Sequence, residues 1–161
     1  MQFDLVIPTR GDLKTITPLF QSLNTQTLLP EHIFLIVDKL ITEHEWEVLG
    51  EEISSVASEA IARRLTSVTN VTHDFQPGGG AAYTRNYGIH MATSKYLYLI
   101  DDDNIFGEEF FETSLREYQE IAKHDTLLYS PMIGRRQTDR IQSVGIRQFH
   151  YRLSRPEPIL G

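Results

Sequence analysis

Three consecutive aspartates, Asp101, Asp102 and Asp103, follow the apolar run Tyr96 to Ile100 and have the most evident capacity for chemistry. Ionised together they repel one another, and this costs stability unless a cation or several hydrogen-bond donors neutralise them. A hard divalent ion suits the set. Mg²⁺ and Mn²⁺ take carboxylate, water and phosphate oxygens, and often use only one or two protein carboxylates while substrate phosphates complete the shell. At a strand end, Asp101 and Asp103 point to one side and Asp102 to the other. The competing reading is a solvated acidic turn or helix cap before Glu108. Gly78, Gly79 and Gly80 form a second candidate, because glycines let backbone approach a ligand closely and a helix amino terminus favours phosphate. Tyr83 stands where a dinucleotide fingerprint needs its third glycine, and no Walker A motif is present. A flexible strand-to-helix turn explains the glycines equally well. Arg85 complements a diphosphate by charge-assisted hydrogen bonds or pairs with one of the surface acids.

The elements that must position these groups alternate between strand and helix. Phe3 to Pro8 reads as a buried strand ended by Thr9, Arg10, Gly11 and Asp12. Thr17 and Pro18 suggest an N-cap and first helical position for a helix to about Gln26, with Leu19, Phe20 and Leu23 on one face. Ile33 to Val37 is a second buried strand, ending at Asp38. From Thr42 to about Thr66, apolar residues at three- and four-residue intervals predict one long helix or two, whose glutamates form a solvated face. Asn70 to Phe75 is the expected third strand, followed by the glycine loop, a helix over 81–92 and a fourth strand over 95–100. A helix over 108–123 comes next, with further strands at 127–133, 141–146 and 149–153. Short strands separated by helices predict a three-layer, Rossmann-like α/β fold: a mostly parallel sheet with helices on both faces. Such sheets collect ligands at their carboxyl ends, which brings together Thr9, Arg10, Asp38 and Asp101 to Asp103.

Composition narrows the function classes. The 161 residues suit one domain, and 40% hydrophobic with 23% charged content is that of a globular chain. No apolar run approaches the length of about 20 residues that spans a membrane, and the amino terminus lacks a secretory pattern, so a cytoplasmic location is expected. The absence of cysteine excludes disulfides, thiolate metal sites and cysteine nucleophiles. The histidines show no HExxH or similar spacing that would suit zinc. A formal charge of −7 argues against a nucleic-acid platform, although six arginines face only Asp139 and Glu157 from Ile133 onward. Arg135, Arg136 and Arg140 suit a phosphate-bearing ligand or a solvated loop.

Five segments occur in a telling order: Val6-Ile7-Pro8-Thr9-Arg10, Ser22-Leu23-x-x-Gln26, Ile36-Val37-Asp38, Gly80-x-x-x-x-Arg85-Asn86-x-Gly88 and Ile100-Asp101-Asp102-Asp103. Together they resemble glycosyltransferase family 2 over most of residues 1–133. The resemblance implies a GT-A, nucleotide-diphospho-sugar transferase fold and sugar transfer from an activated UDP-, GDP- or dTDP-sugar donor with inversion at the anomeric carbon. It implies that Asp101 and Asp103 form an Asp-x-Asp motif contacting the donor ribose and the diphosphate-bound Mn²⁺ or Mg²⁺, with Asp102 beside them. It further implies that Asp38 recognises the nucleotide base above Pro8 and Thr9, and that Gly80, Arg85 and Asn86 line the donor pocket with Arg10 nearby. Lys39 follows Asp38 where relatives often carry Asp or Ser, and Gly78 replaces a usual asparagine.

The family's general base belongs to an acceptor-binding portion that is not recognisable before Gly161, so no catalytic base is assigned. The expectation is one nucleotide-sugar-binding domain over 1–161, the donor half of a transferase whose acceptor is a carbohydrate, lipid or protein, peripheral at a membrane if that acceptor lies there. The alternative is a nucleotide-sugar binding module without turnover.

Overall fold

The computed structural model describes residues 2–39, 42–70, 80–121, 135–137 and 140–142. The chain divides into two compact units, Met1–Glu112 and Thr113–Gly161. In the first, β1 (Phe3–Thr9), β2 (His32–Val37), β3 (Leu65–Asn70) and β4 (Tyr96–Leu99) form a parallel sheet in the order β3-β2-β1-β4. The chain moves outward from β1 to β3 and then returns to the far side of β1. Right-handed crossovers therefore put the returning helix on the opposite face from the outgoing ones. In open α/β sheets a reversal of this kind marks the crevice where ligands gather, here at the carboxyl ends of β1 and β4.

The returning helix is α4 (Gly80–Met91), whose Tyr87 and Met91 pack on Val6, Phe34 and Ile36. Gly88 permits this approach: a Cβ there would lie 2.3 Å from Val6 Cγ1, far inside van der Waals contact. The opposite face presents Phe3, Leu5 and Ile7 beside Ile33 and Leu35, none of them exposed. Phe111, in the first turn of α5 (Phe110–Ile121), packs its ring 5.1 Å from Phe3 and 5.0 Å from Tyr98. Continuous apolar strands thus occur where both faces are covered. The second unit contains an antiparallel pair, β5 (Arg135–Gln137) and β6 (Arg140–Gln142). The expected strands at 127–133 and 149–153 lie outside the described residues.

Two boundaries differ from the sequence expectation. Helix α1 (Leu13–Asn24) begins ahead of Thr17 because Asp12 is its N-cap, accepting from Lys14 N–H at 3.0 Å. Gly11, at φ +77°, supplies the turn that presents Asp12 to the helix. Pro18 consequently lies inside α1, where it lacks the N–H that would bond back one turn; fully buried Ile16, Leu19, Phe20 and Leu23 hold the helix regardless.

The second difference is the end of the long helix. It is divided into α2 (Glu43–Val56) and α3 (Glu59–Ala62), and strand β3 starts at Leu65, five residues before the expected Asn70. The break is made by a distant residue. Asn24 donates from Nδ2 to Val56 O at 2.7 Å and accepts Ser58 N–H at 2.7 Å, satisfying backbone groups at both sides of the break. Ser58 then caps α3. Apolar periodicity continues across this point, so only the tertiary partner reveals the stop. The expected strand residues beyond Asn70, and Pro77 to Gly79 of the glycine loop, lie outside the described residues.

Candidate functional site

The carboxyl ends of β1, β2 and β4 meet as the fold rule requires. Asp38 N–H donates to Thr9 O at 2.7 Å, joining the ends of β2 and β1, and Ile100 N–H donates to Val6 O at 3.1 Å, joining β4 to β1. Pro8 and Thr9 are buried, Asp38 is half-buried and Arg10 is exposed at the start of the turn. The Asp38 carboxylate and the Arg10 guanidinium form no side-chain bond with another described residue. Among the described residues neither has a partner that a ligand would have to displace.

The three aspartates have three different environments. Arg85, projecting from α4, pairs with Asp101. Asp102 accepts from the Thr9 hydroxyl, whose oxygen in turn accepts Gly11 N–H at 2.9 Å, so this carboxylate ties the β4 turn to the β1 turn. Asp103 is exposed and, among the described residues, meets only the side-chain amide of Asn104, at a long 3.4 Å. Asn104 also accepts Asp101 N–H through its side-chain oxygen at 3.1 Å, while its own N–H donates to Asp101 O at 3.2 Å. Hydrogen-bond donors therefore offset the like-charge repulsion at Asp101 and Asp102, and Asp103 keeps the most unused acceptor capacity.

Among the described residues no group of three histidines or carboxylates is arranged to hold a metal ion. The donor set still fits a hard cation that brings most of its shell with a phosphate ligand, because that mode needs only one or two protein carboxylates. Asp103 is the available ligand, whereas Asp101 would first have to leave Arg85.

Gly80 opens α4 and Arg85 lies on it, reaching the acidic turn. Asn86 is exposed on the same helix and makes no bond to that turn. Lys39, beside Asp38, lays its stem near Gly11 and pairs with Glu45 at 3.3 Å. Glu45 also accepts Thr42 N–H at 2.7 Å, and this backbone bond, followed by those of Lys39 and the Thr42 hydroxyl, lowers its pKa below the ordinary value.

Two polar residues with defined roles, Asn104 and Asp4, belong to none of the sequence motifs. The signal for Asn104 is an amide directly after an acidic turn, a residue type that bonds its own local backbone. The signal for Asp4 is a charge inside an otherwise apolar strand. Its unexposed carboxylate accepts Thr93 N–H, Ser94 N–H and Ser94 Oγ–H, each at 2.8 Å, with His32 Nδ1 3.0 Å away. Burial pushes its pKa up, but the donors of Ser94, Thr93 and His32 outweigh burial and hold it below the usual carboxylate value. This cluster sits at the amino end of the sheet, away from the crevice, and fastens β1 to the α4–β4 connection.

The family model of Glycosyl transferase family 2 matches residues 4–156. The chain belongs to this family. The minor teichoic acid biosynthesis protein GgaB of Bacillus subtilis (strain 168) is 28% identical over 112 residues, 68% of this chain and 12% of that protein. Among solved structures, S. aureus TarS in complex with UDP matches with a TM-score of 0.56 and 20% identity, covering 74% of this chain and 32% of that one. The same protein in complex with UDP-GlcNAc matches with a TM-score of 0.55 at 20% identity, covering 74% of this chain and 32% of that one. The structural likeness extends to the fold, which is the GT-A form of the α/β sheet. This chain spans only a small part of the length of these relatives. No helix among the described residues is long and apolar enough to cross a membrane.

Proposed function

We propose that this family 2 domain binds a nucleotide-diphospho-sugar and forms the donor half of a glycosyltransferase that passes the sugar to an acceptor hydroxyl with inversion. The observation that carries the reading is the meeting of open Asp38 and Arg10 with Arg85 and the acidic turn at one sheet end. UDP and UDP-GlcNAc in the complexes of the fold neighbour TarS make a uridine donor the first to test. In this reading the half-buried Asp38 accepts from the base, above Pro8 and Thr9. Asp101 receives the ribose hydroxyls. Arg85 exchanges its pairing with Asp101 for the diphosphate; an exposed ion pair is worth about 0–1 kcal/mol, so the exchange costs little. Arg10, Gly80 and Asn86 complete the pocket wall.

Asp103, with Asp101 once Arg85 has moved, would hold Mn²⁺ or Mg²⁺ against the diphosphate. That ion supplies charge neutralisation on the leaving diphosphate. Deprotonation of the acceptor is assigned to no residue of this chain.

Calorimetric titration with UDP-, GDP- and dTDP-sugars, with Mn²⁺ or with chelator, tests the reading. Binding that needs the ion and falls at least about ten-fold in Asp103→Asn is the expected outcome, of the size that loss of a charged ligand contact produces. Equal affinity in the variant and the parent removes the metal role, and no binding of any donor by the parent removes the function.

A further inference from the structure

The segment after the acidic turn is held by residues that follow α1. Gln26, just past α1, is 7% exposed and donates from its side-chain amide to Gly107 O at 2.7 Å and Ser22 O at 3.1 Å. The next residue repeats the link, with Thr27 N–H donating to Glu108 O at 2.9 Å and the Thr27 hydroxyl to Glu112 at 2.8 Å. The segment from Asp101 to Glu108 is thus anchored at its start by Ile100 and Asp102 and at its end by Gln26 and Thr27. Between the anchors Phe106 packs 4.6 Å from Phe110, while Ile105 is 71% exposed.

Stability alone accounts poorly for the glutamine. Its Oε1 is buried with no partner among the described residues, an arrangement that costs folding free energy. Its two acceptors do not depend on it either. Gly107 O also receives Phe110 N–H at 3.1 Å, and Ser22 O also receives the Thr25 hydroxyl at 3.1 Å. An apolar side chain of similar volume would remove the unpaired oxygen and leave both carbonyls partnered. What it would lose is the Gln26–Gly107 bond, the link nearest the aspartates, leaving the Thr27 links at Glu108 and Glu112 to hold the segment's far end.

We infer that Gln26 is a positioning residue for the donor site, tethering the segment that carries Asp101 to Asp103 so that Asp103 is presented at a fixed height from a turn that Asp102 ties to Thr9. The inference rests on the donor reading above. Because the chain has no cysteine, one introduced thiol can be labelled cleanly. A spin label at Ile105→Cys reports the segment, and one at exposed Ser54→Cys on α2 serves as control.

Changing Gln26→Met in the full chain should lower Tm by no more than about 4 °C. It should also raise label mobility at 105 but not at 54, and weaken Mn²⁺-dependent UDP-GlcNAc binding about five-fold. Gln26→Asn, one methylene too short to reach Gly107, should reproduce these effects and serves if the methionine variant does not fold. Unchanged mobility at 105 in a folded variant overturns the tether, and increased mobility with unchanged donor affinity overturns the positioning role. A parent that binds no donor overturns the donor reading and the positioning role with it, while the label still answers whether the tether exists.

Discussion

The two ends of the central sheet use aspartate in opposite ways. At the amino end, Asp4 has no exposure and four polar groups around one carboxylate. At the carboxyl end, each of three neighbouring aspartates has a single side-chain partner among the described residues, and Asp101 and Asp103 are exposed. A carboxylate whose acceptor capacity is filled within the protein contributes to folding and has little left for a ligand. One with lone pairs unused contributes little to folding and remains available. The difference in satisfaction, more than in residue type, separates the structural end from the proposed binding end.

The comparison breaks most readily at Asp4. Asp4→Ala removes a fully buried carboxylate and leaves the part-buried N–H groups of Thr93 and Ser94 without their acceptor, which should cost about 2 kcal/mol in denaturant unfolding, with little change in donor affinity beyond the loss of folded protein. A smaller effect should appear with pH. Because folding lowers the Asp4 pKa from its ordinary 3.8, the stability it contributes is present above that value and is lost as pH falls through it towards the folded pKa. The parent should therefore lose stability on acidification below about pH 4, and Asp4→Ala should show a shallower slope there.

Thr9→Val lies between the two ends in effect. It removes one hydrogen bond to Asp102 and one acceptor for Gly11 N–H, which should cost about 1 kcal/mol in thermal unfolding and also weaken donor binding by loosening the two turns. Arg85→Gln should have the smallest effect on stability, within about 0.5 kcal/mol, since its pairing with Asp101 is solvent-exposed. Its donor affinity should nevertheless fall. A stability loss at Arg85 comparable with that at Asp4 would erase the distinction between the two ends.

Much of the fold and the place of the site are legible in the amino-acid sequence. Uninterrupted apolar runs such as Ile33 to Val37 identify strands covered on both faces, because a parallel sheet leaves no face to water. The location of the site follows from the same rule, since polar residues directly after strands must gather at one sheet edge. Less legible are local starts and stops. Pro18 has the residue type of a helix opener, but Asp12 takes the N-cap role because Gly11 adopts a positive φ. The break at Ser58 shows locally only as a serine able to cap a new helix, because the residue that satisfies the backbone on both sides of it, Asn24, belongs to another helix.

Although β5 at Arg135–Gln137 was not among the expected strands, the sequence by itself determined the order of strands and helices from β1 to α5, the GT-A family resemblance and the set of residues at the sheet's carboxyl end. These depend on periodicity and residue type, which are local properties of the chain. Only the tertiary structure decided that Asp101 faces Arg85, that Asp102 ties down to Thr9, and that Gln26 reaches Gly107. Those partners depend on strand order, on the register of β1 with β4, and on the close approach of α4 that Gly88 allows. Through-space geometry chooses among donors that composition offers equally, and here it distinguishes three adjacent, chemically identical carboxylates.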